Sequence, residues 1–104
     1  NDEVAWCAAF LNWVLKQAGL PQTNSLLARS FQDIGETAQP PQMGDIVVLW
    51  RYSPDSIFGH CGLYIAEDND DLWLLGGNQD NQVSIKKYPK WQFLEYRRLH
   101  DPEN

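Results

Sequence analysis

Basic residues are scarce in this chain of 104 residues. It has 8 Lys and Arg against 14 Asp and Glu, so its formal net charge is −6 at pH 7. A nucleic-acid binder normally shows the opposite balance, because cations that neutralise phosphates supply much of its affinity. We therefore expect no nucleic-acid partner. Five cations lie in the last fifth of the chain, where we interpret them as a solvated strand face: Lys86, Lys87, Lys90, Arg97 and Arg98.

Long apolar runs are also missing. No stretch approaches the length of about 20 apolar residues that a membrane-spanning helix needs, so we expect no membrane span. The opening Asn-Asp-Glu-Val lacks the basic and apolar regions of a signal peptide. Only two cysteines occur, which excludes a disulfide framework, and no CxxC or Cys/His spacing suits zinc. We accordingly expect no metal and no cofactor.

Apolar and aromatic residues are plentiful. Hydrophobic residues make up 43% of the chain, and 5 Trp, 4 Tyr and 4 Phe are available to fill a core. This composition is typical of a folded globular protein, and the length suits one domain over residues 1–104.

Helices are predicted first along the chain. Apolar residues at helical spacing predict a buried helix over residues 5–18, with Cys7 in its first turn. Gly19 is predicted to end this helix. A second, shorter helix is predicted over residues 26–34, and a proline-containing loop follows it.

Strands are predicted in the rest of the chain. Short polar links between the apolar segments favour an antiparallel meander, either open or closed like a barrel. Helices followed by strands make the predicted fold class α+β, with the helices packed on a five-stranded antiparallel sheet. The five predicted strands cover residues 45–52, 60–66, 72–78, 82–88 and 93–99.

One cysteine and one histidine stand out as candidates for chemistry. A thiol becomes a strong nucleophile as a thiolate, which a helix N-terminus or a neighbouring imidazole favours. Cys7 meets the first condition. Of the two histidines, His100 lies in a charged tail, whereas His60 opens an apolar strand. Cys7 is thus the candidate nucleophile and His60 the candidate base; the alternative is that Cys7 is only a core residue.

A third candidate follows from the pairing of two strands. If Ala66 faces Leu72 across the turn, then His60 lies opposite Asn78, and directly opposed residues point to the same side of a sheet. Asn78 would then hold the tautomer of the imidazole. The alternative is that Asn78 only satisfies a turn.

The second cysteine is predicted to be inert. Cys61 alternates with His60 along the strand, so it should point to the other face and lie buried. We therefore expect no disulfide between Cys7 and Cys61. Gly62, Gly76 and Gly77 remove side chains next to His60 and Asn78, which would let the helix of Cys7 approach the sheet closely.

Several segments together resemble a known family. AWCAAFLNWV, PQMGDIVVLW, FGHCGLYIAED and LLGGNQDNQVSI, followed by EYRRL, are similar to CHAP-type and NlpC-type papain-like hydrolases of bacterial cell walls. The resemblance covers residues 3–99 in order. It is greatest for small phage and bacterial proteins with a Trp-Cys…Gly-His…Gly-Gly-Asn-Gln pattern. It implies a papain-like fold in which Cys7 is the nucleophile, His60 the base and Asn78 the third polar residue.

The same resemblance implies a substrate and a setting. The substrate would be peptidoglycan, contacted by Trp6, Gly59 and Gly77 and cut through a thioester intermediate. The enzyme would be an N-acetylmuramoyl-L-alanine amidase or a stem-peptide endopeptidase, and we expect it to be a monomer. It would act in the periplasm or at the cell wall after export or lysis, as a phage lysin, a secreted effector or a remodelling enzyme. A toxin of this kind would have an immunity protein as its partner.

A departure from the family motivates a second hypothesis. Relatives carry more chain before the Trp-Cys helix, so the resemblance predicts that a segment before Asn1 is missing here. Without that segment one wall of the groove would be absent. The alternative function is therefore a catalytically silent module that binds the cell wall on the same fold.

Overall fold

The computed structural model describes residues 2–79 and 82–100, excluding the side chains of residues 2–5 and 78. It contains one α-helix, two short 3₁₀ helices and six strands, which confirms the α+β class. The helix is α1 (Asp2–Gln17), and the 3₁₀ helices are Ala28–Asp33 and Lys90–Gln92. The strands are β1 (Glu36–Thr37), β2 (Ile46–Trp50), β3 (Gly59–Glu67), β4 (Asp71–Gln79), β5 (Gln82–Pro89) and β6 (Phe93–Arg98).

Helix α1 begins three residues before the predicted start. Cys7 therefore lies in the second turn of the helix, and the prediction that it lies in the first turn is wrong. The predicted end is confirmed, because Gly19 adopts a left-handed φ of 73° just after the helix. The N–H of Leu20 then donates to the carbonyl of Leu15 at 2.9 Å, the hydrogen bond of a Schellman cap.

The second predicted helix is a 3₁₀ helix, Ala28–Asp33, rather than a longer α-helix. Its two buried side chains, Ala28 and Phe31, are three residues apart, which matches the three-residue turn of a 3₁₀ helix. The segment after it was predicted to be a loop, yet Glu36–Thr37 pair with β6 as strand β1. The sheet consequently has six strands and not five.

The strand order is β1-β6-β2-β3-β4-β5, and every neighbouring pair is antiparallel. Strands β2 to β5 form the predicted meander, but β6 returns to pair with β2. The prediction of a continuous meander is therefore wrong at β6, and the sheet is open rather than barrel-like. The physical reason lies in β2: Ile46, Val47, Val48 and Leu49 are all buried, so both faces and both edges of this strand are covered.

Side chains from the two faces of the sheet form two apolar clusters. On one face α1 and the first 3₁₀ helix pack against Ile46, Val48 and Cys61. On the other face Val47 and Leu49 pack with apolar side chains of β3, β4 and β6. The functional candidates lie where α1 crosses β3 and β4, which α1 contacts directly.

The pairing of β3 with β4 contains a bulge. Ala66 lies opposite Trp73, so the predicted pairing of Ala66 with Leu72 is wrong. A register shift between Tyr64 and Ala66 then restores the predicted alignment, with Tyr64 opposite Leu74. The turn itself therefore did not set the register near His60.

None of the helices within residues 2–79 and 82–100 has the length and the apolar character that crossing a membrane requires.

Candidate active site

The imidazole of His60 lies at the centre of a buried hydrogen-bond network. His60 is near the start of β3 and is 3% exposed. Its Nε2 is 3.0 Å from Oε1 of Gln79 and 3.1 Å from the hydroxyl of Tyr88. The rings of His60 and Tyr88 also pack together, with centroids 5.0 Å apart. Since a buried polar group requires partners, these contacts hold the ring in one orientation.

Contacts at the far end of Gln79 determine which way its amide points. Its Nε2 donates to the backbone carbonyl of Ser84 at 2.7 Å and to that of Leu74 at 3.3 Å. Carbonyl oxygens only accept, so the amide nitrogen must face them and Oε1 must face His60. Oε1 also only accepts, so Nε2 of His60 must carry a proton. In the neutral imidazole, Nδ1 is then the unprotonated nitrogen.

An irregularity in β4 places Gln79 beside His60. The pairing of β4 with β5 shifts between Gly76 and Gln79, which changes the face to which the end of β4 points. Gly76 provides the space for the amide, because a Cβ there would lie 2.7 Å from Oε1 of Gln79. Any larger residue at this position would displace the partner of the imidazole.

The Cys7 thiol contacts two side chains of the sheet. It is 1% exposed and forms hydrogen-bonding contacts with the side chains of Cys61 and His60. The hydrogen bond from Cys61, followed by the contact and charge of His60, holds the pKa of Cys7 well below its usual range, although burial opposes this effect. A helix dipole acts mainly within the first turn. The low pKa therefore arises from the sheet and not, as the sequence suggested, from the start of the helix.

Cys61 lies on the face of β3 that packs against α1. Its burial was predicted and is confirmed, since it is 0% exposed. It was predicted to be inert and to form no disulfide with Cys7, and its side chain forms a hydrogen-bonding contact with Cys7. Burial, and next the contact with Cys7, raise the pKa of Cys61 well above its usual range. Both cysteines are reduced thiols.

The predicted third residue, Asn78, has a side chain outside the described part of the structure. Its backbone belongs to β4. The partners described for the imidazole are instead Gln79 and Tyr88, which the sequence analysis missed. The Gly76–Gln79 segment contained a signal for this, since paired glycines in a strand favour a bulge that changes which residue faces the neighbouring strand.

The three predicted substrate-binding residues occupy two different places. Trp6 is 39% exposed and its ring packs over the backbone of Gly77, where a Cβ would collide with Trp6 and with Phe10. Trp6 and Gly77 therefore lie together at the contact of α1 with β4. Gly59 is buried, and a Cβ there would lie 2.5 Å from the carbonyl oxygen of Leu49. Its lack of a side chain permits the pairing of β2 with β3.

Arg29, in the first 3₁₀ helix, holds the loop that leads into His60. Its guanidinium donates to three backbone carbonyls of that loop, at 3.1 Å to Phe58, 2.8 Å to Pro54 and 3.1 Å to Ser53. Arg29 was not predicted from the sequence as a functional residue. Because an arginine fork suits several acceptors at once, this residue fixes the loop just before the start of β3.

Within residues 2–79 and 82–100, no three His, Cys, Asp or Glu side chains are grouped so that they could hold a metal ion. Comparison with known proteins finds no protein-family model and no curated protein that matches the chain. A buried thiol with a lowered pKa contacts an imidazole whose Nε2 is fixed by an amide.

Proposed function

We propose that this protein is a cysteine hydrolase that cleaves an amide bond, with the nucleophile on a helix and the base on a sheet, as in papain-like enzymes. One observation carries the proposal. The Cys7 thiol contacts His60, and Gln79 holds Nε2 of the same imidazole at 3.0 Å. A base that contacts a nucleophile on one side and is held by an orienting residue on the other is the signature of covalent catalysis.

The reaction proceeds in two halves. The Cys7 thiolate attacks the carbonyl carbon of the amide and forms a tetrahedral intermediate. His60 donates a proton to the leaving nitrogen, the C–N bond breaks and a thioester remains. His60 then accepts a proton from water, which attacks the thioester, releases the carboxylic acid and regenerates Cys7.

Gln79 acts in this scheme as a positioning residue. With Nε2 of His60 bonded to Gln79, Nδ1 is the nitrogen that exchanges protons with the thiol and the leaving group. Gln79 is neutral, so it orients the ring without adding a full negative charge. Tyr88 provides a second oxygen at 3.1 Å from the same nitrogen and packs along the ring.

We further propose peptidoglycan as the substrate, acted on in the periplasm or at the cell wall. The support is the order of the motifs along the chain, Trp6-Cys7, Gly59-His60 and the Gly76–Gln79 segment, which resembles cell-wall hydrolases. The muramoyl–alanine amide and a stem-peptide bond present the same carbonyl to the thiol. An amidase and an endopeptidase are therefore both consistent with this mechanism.

A digestion experiment tests the proposal. Purified peptidoglycan is incubated with the protein, clearing is followed by turbidity, and mass spectrometry of the fragments names the bond that is cut. We expect clearing by the wild type, none by Cys7→Ala or His60→Ala, inhibition by iodoacetamide and no effect of EDTA. Loss of activity in EDTA that zinc restores would contradict a cysteine mechanism.

The second candidate function is a silent cell-wall-binding module. The observation that favours it is the burial of Cys7, which is only 1% exposed and would have to meet a substrate carbonyl. The same suspensions distinguish the two functions. Co-sedimentation with peptidoglycan, without fragments from either the wild type or Cys7→Ala, would support the module.

A further inference from the structure

Two reduced thiols from different elements lie in the same buried cluster. Cys7 comes from α1 and Cys61 from β3, and both belong to the apolar cluster between the helix and the sheet. Their side chains form a hydrogen-bonding contact. The proposed hydrolysis assigns no step to Cys61. An aliphatic side chain would fill this apolar position but could neither donate the hydrogen bond that helps lower the pKa of Cys7 nor form a disulfide with it.

The two thiols differ in acidity, and this gives them different reactivities. Cys7 has a lowered pKa and is therefore the thiol that is present as a thiolate. Cys61 has a raised pKa and stays protonated while Cys7 is charged. Since thiolates and not thiols react with peroxides, Cys7 is the sulfur that would be oxidised first.

We propose that Cys7 and Cys61 form a redox pair: a peroxide oxidises Cys7, and Cys61 then closes a reversible disulfide with it. The effect on activity rests on the proposed function. A Cys7 sulfur held in a disulfide cannot attack a carbonyl, so the hydrolase is switched off until an external thiol reductant reopens the bond.

The chemistry balances with one molecule of peroxide. The Cys7 thiolate attacks a peroxide oxygen, an S–O bond forms, the O–O bond breaks, and the leaving hydroxide takes a proton to become water. The sulfur of Cys61 then attacks the sulfenic sulfur of Cys7. An S–S bond forms, the S–O bond breaks, and the leaving hydroxide takes the Cys61 proton as a second water. Two thiols lose two electrons in total, and the peroxide gains them.

The structure favours the second step once the first has occurred. Apart from burial, the causes that raise the pKa of Cys61 are its hydrogen bond to Cys7 and the charge on Cys7. Oxidation to the neutral sulfenic acid removes that charge, so Cys61 becomes easier to deprotonate. Because the side chains of Cys7 and Cys61 already form a hydrogen-bonding contact within one buried cluster, closing the disulfide competes well against a second peroxide entering it.

The test measures the covalent state and the activity of the same sample. Wild type and Cys61→Val are each treated with hydrogen peroxide and then split, with one half receiving dithiothreitol. Intact mass spectrometry, a count of reactive thiols after denaturation and peptide mapping give the covalent state. Peptidoglycan cleavage gives the activity of each protein relative to its own untreated sample.

We expect the wild type to lose the mass of two hydrogen atoms and to fall from two reactive thiols per chain to none. Mapping should join the peptides of Cys7 and Cys61. Activity should fall in proportion to the disulfide fraction and return fully with dithiothreitol. Cys61→Val lacks the hydrogen bond that helps lower the pKa of Cys7, so its Cys7 should react with peroxide more slowly. It should then gain oxygen atoms instead of forming an internal disulfide, and dithiothreitol should not restore its activity once sulfinic acid has formed.

Two results would overturn the proposal. One is a wild type that gains oxygen on Cys7 while Cys61 still reacts as a thiol, and the other is a disulfide that joins two chains. The peptide mapping uses wild type alone, so it decides the matter even where Cys61→Val fails to fold. An internal disulfide in a protein that cleaves no peptidoglycan would support the redox pair while contradicting the proposed function.

Discussion

At the scale of single residues, the chemistry of the site depends on which groups can only accept a hydrogen bond. The carbonyls of Leu74 and Ser84 orient the amide of Gln79, the amide oxygen fixes the proton on His60, and this leaves Nδ1 for the proton of Cys7. Gln79 and the two carbonyls that orient it are all neutral groups. The arrangement therefore selects one tautomer by geometry rather than by a full negative charge.

Replacing Gln79 tests this chain of hydrogen bonds. We expect Gln79→Ala to lower kcat by roughly 10- to 1,000-fold, the range for one positioned hydrogen bond in a catalytic set. Alkylation of Cys7 by iodoacetamide should also need a higher pH, since a loosened imidazole stabilises the thiolate less. Gln82→Ala, which alters an exposed glutamine opposite Gln79, is the matched control and should behave as wild type.

Asn78→Ala tests which residue orients the imidazole of His60. The candidates are Asn78, which was predicted from the sequence, and Gln79, which lies beside His60 in the structure. The sequence-based pairing predicts the loss of kcat in Asn78→Ala, whereas the hydrogen bond of the structure predicts it in Gln79→Ala. A wild-type rate in Gln79→Ala together with a large loss in Asn78→Ala would return the orienting role to Asn78.

At the scale of elements, the carboxylate of Glu67 connects three parts of the chain. At the end of β3 it accepts hydrogen bonds from Tyr64 at 3.0 Å and from Tyr96 of β6 at 3.3 Å. It also forms an ion pair with Lys90 of the second 3₁₀ helix. The hydrogen bond from Lys90, supported by those from the tyrosines, holds the pKa of Glu67 below its usual value of 4.5. The ionised carboxylate therefore stabilises the connection between β5 and β6.

This lowered pKa predicts how stability depends on pH. Because Glu67 binds its proton less tightly when folded, its contribution is fully present above pH 4.5 and is lost as the pH falls through the folded pKa. We expect Glu67→Gln to lower the free energy of unfolding by about 1 kcal/mol at neutral pH, since the pair is partly exposed.

Urea unfolding of both proteins across the acid range provides the measurement. The difference between wild type and Glu67→Gln should shrink as the pH falls below 4.5, whereas the other carboxylates affect both proteins alike. A difference that stays constant down to the acid limit would show that Glu67 stabilises by packing and not by charge.

At the scale of the whole molecule, local patterns predicted the elements well and their assembly less well. The helical spacing around Cys7 and the alternation of Cys61 with its neighbours both describe contacts within one element, and both are seen in the structure. The pairing of β6 with β2 brings together segments more than 40 residues apart, on which short-range spacing has no bearing. The sequence feature that indicated this pairing was the continuous apolar run of β2, because such a strand must be buried on both faces.

In the candidate site, too, features within one element were predicted better than the contacts between elements. Its helix and strand were predicted from periodicity, and the roles assigned to Cys7 and His60 stay predictions. The choice of Asn78 over Gln79 assumed unbroken alternation along β4, whereas the pairing shifts after Gly76. A bulge of one residue changes which side chain faces the imidazole, and its position depends on packing between strands and helix rather than on the strand alone.

The spacing between α1 and the sheet governs whether Cys7 meets His60, and Gly77 sets that spacing. Its backbone lies directly beneath Trp6 and Phe10, so the Cβ of Gly77→Ala must push the helix outward. We expect this variant to lose about 1–3 kcal/mol of stability, as overpacking does. It should also react more slowly with iodoacetamide below the ordinary thiol pKa of 9.0, because Cys7 moves away from the partners that lower its pKa.

Leu15→Ala is the control, because it removes a buried side chain at the far end of α1. It should lower the free energy of unfolding by about 2–5 kcal/mol and leave the alkylation rate of Cys7 in the folded protein unchanged. Equal slowing in both variants would show that the reactivity of Cys7 follows overall stability and not the distance between helix and sheet.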